Sequence, residues 1–231
     1  MNLNMFEDFC IEKRAGKIML SAPHCYDQWR NEKIKKRETR SGILVKSVAS
    51  NLGCSCIYKT KFLYNDPNWD DKSTYRSELV DFIKKNDIKC LLDIHTMRAE
   101  RETDICIGTN CMRNIQGRQD MLDVVWICFK NHGFKHVEID KPFNASHSNV
   151  VSHDIAEKCR IPCFQIEINN RFMHRDYDDF DFKKVKKAII DVVIELNEII
   201  WISKNDFLLY LEDHFFCVIL YYAVNISEMI K

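Results

Sequence analysis

The chain has 231 residues, of which 46% are hydrophobic and 29% charged, with 34 Lys+Arg set against 34 Asp+Glu. That length buries a substantial core, and the composition is that of an ordinary globular protein. Balanced charge gives no general attraction to nucleic acid or to anionic membranes, so neither is expected as a partner.

Strand candidates in chain order are Lys17 to Ala22, Cys54 to Thr60, Lys89 to His95, Thr103 to Gly108, His136 to Ile139 and Cys163 to Asn169. Several are apolar on successive residues, as strands covered on both faces should be. Between them the spacing predicts helices over Ser41 to Leu52, stopped by Gly53, over Thr74 to Asn86 with a Ser73 or Thr74 cap, and over Asn114 to His132 before Gly133. A last helix runs from Phe182 to Ser203, with an apolar stripe at Val185, Ile189, Val192, Val193, Leu196 and Ile200. Short apolar runs alternating with helical segments predict an α/β fold: a mixed, mostly parallel sheet with helices on both faces. With 6 Gly, 4 Pro and no linker-like tract, one domain is expected over 1–231, its core at about 17–203 and a helical extension at 204–231.

The eleven cysteines are scattered, and no CxxC pair exists. Met1 to Arg14 lacks the apolar run of a secretory signal, so reduced thiols and a cytoplasmic location are expected. The run Phe215 to Val224 is too short to span a bilayer. It reads as an amphipathic helix packing on the body or on a second copy, which would give a homodimer. The basic stretch Lys33 to Arg40 reads as a solvated face, and the polar segment Asn144 to Asp154, with His147 and His153, as a loop or lid.

Chemistry-bearing residues gather at three strand ends, where open α/β sheets place their ligand crevices. His24 follows Pro23 directly after the first strand. Asp93 and His95 share one face of the third, so the carboxylate can orient the imidazole. Glu167 lies between Ile166 and Ile168, within a strand, where a carboxylate is costly unless paired or used. Two histidines and an acid around an open position make a catalytic zinc site, and a further Glu can act as its base.

The segments SAPH (Ser21 to His24), RETRSGIL (Arg37 to Leu44), YNDPNWD (Tyr64 to Asp70), LLDIH (Leu91 to His95), DICIGT (Asp104 to Thr109), KPF (Lys141 to Phe143) and IPCFQIEINNRF (Ile161 to Phe172) together resemble the N-formylglutamate amidohydrolase family, itself related to aspartoacylase and the zinc carboxypeptidases. The resemblance covers roughly Lys17 to Phe172 and implies a zinc-carboxypeptidase-like, phosphorylase/hydrolase-like fold. It implies one Zn2+ held by His24, His95 and Glu38, with Asp27 as alternate carboxylate ligand, and Glu167 as general base on the zinc-activated water. It also implies Arg171 as the clamp on a substrate carboxylate, with Lys61 or Arg98 supplying further positive charge where the family has an arginine and this chain has Asn65 to Asn68. The implied activity is hydrolysis of the amide bond of a small N-acyl amino acid such as N-formylglutamate, a carboxylate-bearing amide. Two other readings share the fold: a zinc peptidase or cell-wall amidase, and a non-catalytic binding module. A Cys25–His95 thiol dyad is a further idea that uses fewer of these residues.

Overall fold

The computed structural model describes residues 8–38, 40–173 and 179–200. Its strands are β1 (Phe9–Glu12), β2 (Ile18–Ala22), β3 (Gln28–Arg30), β4 (Lys33–Lys35), β5 (Ser55–Lys59), β6 (Cys90–Met97), β7 (Ile105–Gly108), β8 (Val137–Ile139) and β9 (Cys163–Asn169). Its helices are α1 (Ser41–Leu52), α2 (Thr74–Asn86), α3 (Gln119–Asn131), α4 (Val151–Cys159) and α5 (Asp179–Ile199). Seven strands form one sheet in the order β1-β5-β2-β6-β9-β7-β8, while β3 and β4 pair as a separate hairpin. The central strands β5, β2, β6 and β9 are parallel neighbours, and β1 and β7 join them antiparallel. The fold is therefore α/β with a mixed, mostly parallel sheet.

Helices cover both faces, and the alternation of side chains along each strand decides which residues meet which layer. Leu20, Leu92, Ile94, Phe164 and Ile166 pack with residues of α1, α3 and α5. Met19, Leu91 and Cys163 pack with α2 and α4. Asp93, His95, Gln165 and Glu167 have the parity of this second set, so they form a polar continuation of that layer at the carboxyl ends of β6 and β9. The register places Asp93 beside Gln165 and His95 beside Glu167.

Local signals account for several element ends. Gly53 closes α1 in the left-handed conformation at φ 66°, a backbone that suits glycine. Ser73 Oγ accepts from the Arg76 N–H at 3.3 Å, capping α2. Helix α3 starts later than expected, at Gln119. The preceding segment is wound into turns with positive φ at Asn110, Cys111, Met112, Gln116 and Gly117, and the Asp140 carboxylate accepts from the N–H groups of Thr109 and Cys111. The segment expected as a polar loop contains the start of α4, whose Val151, Ile155 and Ala156 are fully buried. Strand β1 and the β3–β4 hairpin went unread, being three or four residues long. No described helix is long and apolar enough to cross a membrane. The run Phe215 to Val224 and the extension 204–231 lie outside the described residues.

One buried cation ties the loops flanking the carboxyl ends together. Arg76, at the start of α2, donates to the carbonyls of Pro67, Asp70 (2.7 Å), Asp71 (3.0 Å) and Asn149 (2.9 Å), and pairs with Asp154 at 3.3 Å. Removing the guanidinium strands these acceptors in a buried position. Arg76→Met should therefore cost about 3–5 kcal/mol in urea unfolding; a loss under about 1 kcal/mol would show that the clasp is dispensable.

Candidate metal centre

His24 lies in the turn that follows β2, where Pro23 ends the strand's ladder. Its carbonyl accepts the Glu38 N–H at 2.8 Å, which anchors the segment leaving β4 against the end of β2. His95 is the sixth residue of β6, which lies beside β2 in the sheet. These connections bring three side chains from separate parts of the sequence to one point. His24 Nδ1 lies 2.7 Å and His95 Nδ1 3.2 Å from Glu38 Oε1, and the imidazole centroids are 4.8 Å apart. All three residues are at least nine-tenths buried. Glu38 Oε2 also accepts the Thr96 N–H at 3.1 Å, which fixes the carboxylate.

A cation held between the two Nδ1 atoms and Glu38 would leave the ring protons to the Nε2 atoms, and each of these faces a buried acid. His24 Nε2 lies 2.8 Å from Asp66 Oδ1 and His95 Nε2 3.1 Å from Asp93 Oδ2. A carboxylate behind each imidazole favours the tautomer whose Nδ1 can bind a cation. Asp66 is itself held by Arg30, at 2.7 to 2.8 Å, and by the Asn68 N–H at 2.9 Å. The Asn68 amide reaches His95 Nε2 at 3.1 Å, and its Oδ1 accepts the first N–H of α4. Two imidazole nitrogens and one carboxylate oxygen, grouped within 4.8 Å of one another, could hold a metal ion, and these donor types suit zinc. The residues present fit such a metal.

The electrostatics separate the two acids at the centre. Burial alone would raise the Glu38 carboxyl, but His95 and His24 outweigh it and hold it well below the usual range. His95 is correspondingly raised, its desolvation overcome by Glu38 and Asp93. Glu167, on the neighbouring strand, has no cation at hydrogen-bond distance among the described residues and accepts only from Gln165 Nε2, at 3.1 Å. Desolvation pushes its pKa up to about 7, helped by the negative charge of Glu38. One acid is thus built to stay ionised against a cation, and the other to exchange a proton near neutrality. Lys35, on the β3–β4 hairpin, extends over the cluster, its Nζ 3.2 Å from His24 Nδ1 and 3.7 Å from Glu38 Oε1.

Asp27, the alternate ligand, lies outside this group: its carboxylate accepts from the Arg37 N–H (2.9 Å) and from Lys36 (3.2 Å) at the surface. Arg171 is also engaged elsewhere. It donates to the Asp104 carboxylate and to the carbonyls of Arg101 (3.0 Å) and Glu102 (3.2 Å), which ties it to the 101–104 turn. Lys61 and Arg98 follow the carboxyl ends of β5 and β6. The Cys25 thiol donates to the Lys59 carbonyl at 3.1 Å, and burial pushes its pKa up to about 12, away from the thiolate form that attacks. Asp66, Asn68 and Lys35 were not singled out from the sequence. Asp66 and Asn68 stood within a recognised segment, and only the pairing of loop 64–71 with the two strand ends gives them a role.

No protein-family profile matches the sequence, and no curated protein matches it. Solved structures do match its fold. A bacteriophage poly-γ-glutamate hydrolase superposes with a TM-score of 0.59 at 13% identity, covering 83% of this chain and 90% of that one. A metallo-carboxypeptidase from Burkholderia cenocepacia gives 0.53 at 12% identity over 80% of this chain and 58% of its own. The succinylglutamate desuccinylase of Chromobacterium violaceum gives 0.50 at 13% identity over 78% and 63%. The class so defined is a fold, that of the zinc carboxypeptidases and desuccinylases. None of these three is named as an N-formylglutamate amidohydrolase, and the likeness of this chain to that family rests on the motifs.

The raised Glu167 pKa has a stability consequence. A carboxyl that keeps its proton to about pH 7 when folded, against an ordinary 4.5, penalises the folded state as pH rises through that window. In metal-free protein, Glu167→Gln should gain stability over wild type between pH 4.5 and 7, reaching about 3 kcal/mol at pH 8. A difference independent of pH in chemical denaturation would contradict the assignment.

Proposed function

We propose that the chain is a metal-dependent hydrolase that uses one zinc ion, held by His24, Glu38 and His95, to cleave an amide bond in a small carboxylate-bearing substrate. The observation that carries this reading is the shared Glu38 carboxylate between two Nδ1 atoms, each imidazole backed by its own buried acid. Bound there, zinc supplies Lewis acidity towards an amide carbonyl and towards water.

The chain's own residues supply the rest. Glu167 accepts a proton from the attacking water and returns it to the departing amine, a task that suits a carboxyl whose pKa lies near the working pH. Lys35 Nζ, beside the ligand atoms, can donate to a substrate carbonyl oxygen as it gains negative charge. Asp66 and Asp93 hold the imidazoles in place. The substrate class draws support from two proteins of this fold: one is named for poly-γ-glutamate and another for succinylglutamate, both amides of glutamate. N-formylglutamate, suggested by the sequence motifs, belongs to the same chemical class and is the first substrate to test. A peptidase, as the carboxypeptidase neighbour is named, is the alternative on the same machinery.

A panel of N-acyl amino acids and glutamyl peptides assayed for amine release should show turnover that a chelator abolishes and zinc restores. Glu167→Gln should retain one zinc per chain and lose at least about a hundredfold in kcat. Retained turnover in that variant would remove Glu167 from the mechanism, and a wild-type chain that binds zinc yet turns over nothing would favour a binding module.

A further inference from the structure

The overall balance of charge conceals a local imbalance on the β3–β4 hairpin. Its strands are joined by a two-residue turn at Asn31 and Glu32, both at positive φ, which makes it a tight ribbon. Alternation divides its side chains. Lys35 reaches the metal cluster, whereas Ile34 and Lys36 line a cavity of about 660 Å3 with Tyr26, Asp27, Arg37 and Phe62. None of the metal-binding residues lines this cavity, and the hydrolase reading gives it no task.

The surface around it is more apolar than scattered exposure makes it. Nine large hydrophobic side chains are exposed among the described residues, and five of them, Tyr26, Ile34, Leu63, Tyr64 and Trp69, lie here. Tyr64 is 76% exposed and Ile34 53%. Single exposed apolar residues need no explanation, but a cluster marks a binding surface. Cations accompany it. Lys33, Lys36 and Arg37 are exposed, against Glu32 and a partly buried Asp27 that already pairs with Lys36. The rings pack on one another: Tyr64 meets Trp29 and Phe62 edge to face at 5.3 and 5.2 Å. Trp69 stacks on His147 and carries the Arg30 guanidinium 4.9 Å from its centre. Bases and sugars stack on rings held singly with a face free, and these rings form one apolar mass instead.

We propose that this face, with Ile34, Leu63 and Tyr64 flanked by Lys33, Lys36 and Arg37, docks peripherally on an anionic lipid surface. A bilayer interface answers both halves of the patch. Aromatic and aliphatic side chains settle at headgroup depth, and the cations pair with anionic headgroups. A purely acidic partner would meet the cations but leave Tyr64, Leu63 and Ile34 in water. The attraction is local and needs no membrane-crossing helix, in keeping with a chain whose total charge is balanced. This inference does not depend on the hydrolase reading, because it concerns the outer face of the hairpin and not the metal cluster.

The test is co-sedimentation of the full chain with phosphatidylcholine vesicles, plain or containing about a third phosphatidylglycerol. The mixed vesicles should bind the chain at least about tenfold more tightly than the plain ones, and added salt should weaken that binding. Ile34→Ser combined with Tyr64→Ser should lose about tenfold or more through the apolar contact. Lys33→Glu combined with Lys36→Glu should lose as much through the charge. All four positions are exposed, so these changes leave the core intact, and circular dichroism checks each variant. Should the serine variant fail to fold, the glutamate variant decides alone. No binding to mixed vesicles overturns the proposal, as does equal binding to plain ones. Unchanged binding in the folded serine variant, or in the glutamate variant when it decides alone, also overturns it. A single-stranded oligonucleotide or an acidic peptide that binds more tightly than the vesicles, and is lost in the same variants, would assign the face to that partner and overturn the membrane.

Discussion

One carboxylate between two imidazoles organises the carboxyl end of this sheet. Glu38 is buried, ionised and shared by His24 and His95, and nothing in a hydrophobic interior would tolerate that charge without the two rings. Each ring in turn needs a partner on its far side, which Asp66 and Asp93 supply. Arg30 then answers Asp66, and Asn68 links His95 to the start of α4. The loops that seem peripheral to the fold are thus the outer layer of a charge network whose inner layer is suited to a divalent cation.

The sheet makes this arrangement possible because adjacent parallel strands end on the same side. His24 leaves β2, His95 ends the buried stretch of β6, and Glu167 sits opposite His95 on β9. Alternation then sorts the chemistry: Ile166 and Ile168 face the layer of α1, α3 and α5, while Glu167 between them faces the polar layer. The same desolvation that protects the core raises Glu167 towards neutrality, so one physical cause serves both stability and reactivity. The cost is local: the folded chain carries an acid it would hold more easily in water.

The parallel strands were legible because each is a short apolar run, and β9 falls within the residues that the sequence indicates. Helices α1 and α2 were legible from Gly53 and Ser73. The convergence of residues 24, 38 and 95 rests on the resemblance and on strand-end logic, and the structure brings these three together while leaving Asp27 at the surface. Pairings made by loops were not legible. The Asp104 partner of Arg171 and the Phe182 ring beneath Arg40 are seen only in the structure. In both cases the deciding partner lies more than sixty residues away, where no local pattern reports it.

The central claim is that His24, Glu38 and His95 form one cation site. Zinc X-ray absorption on the stoichiometric complex tests it most directly. The account predicts one zinc per chain, bound by two imidazole nitrogens and by oxygen, with one imidazole lost in either His24→Ala or His95→Ala. Sulfur in the first coordination sphere, or an unchanged imidazole count in both variants, would contradict it.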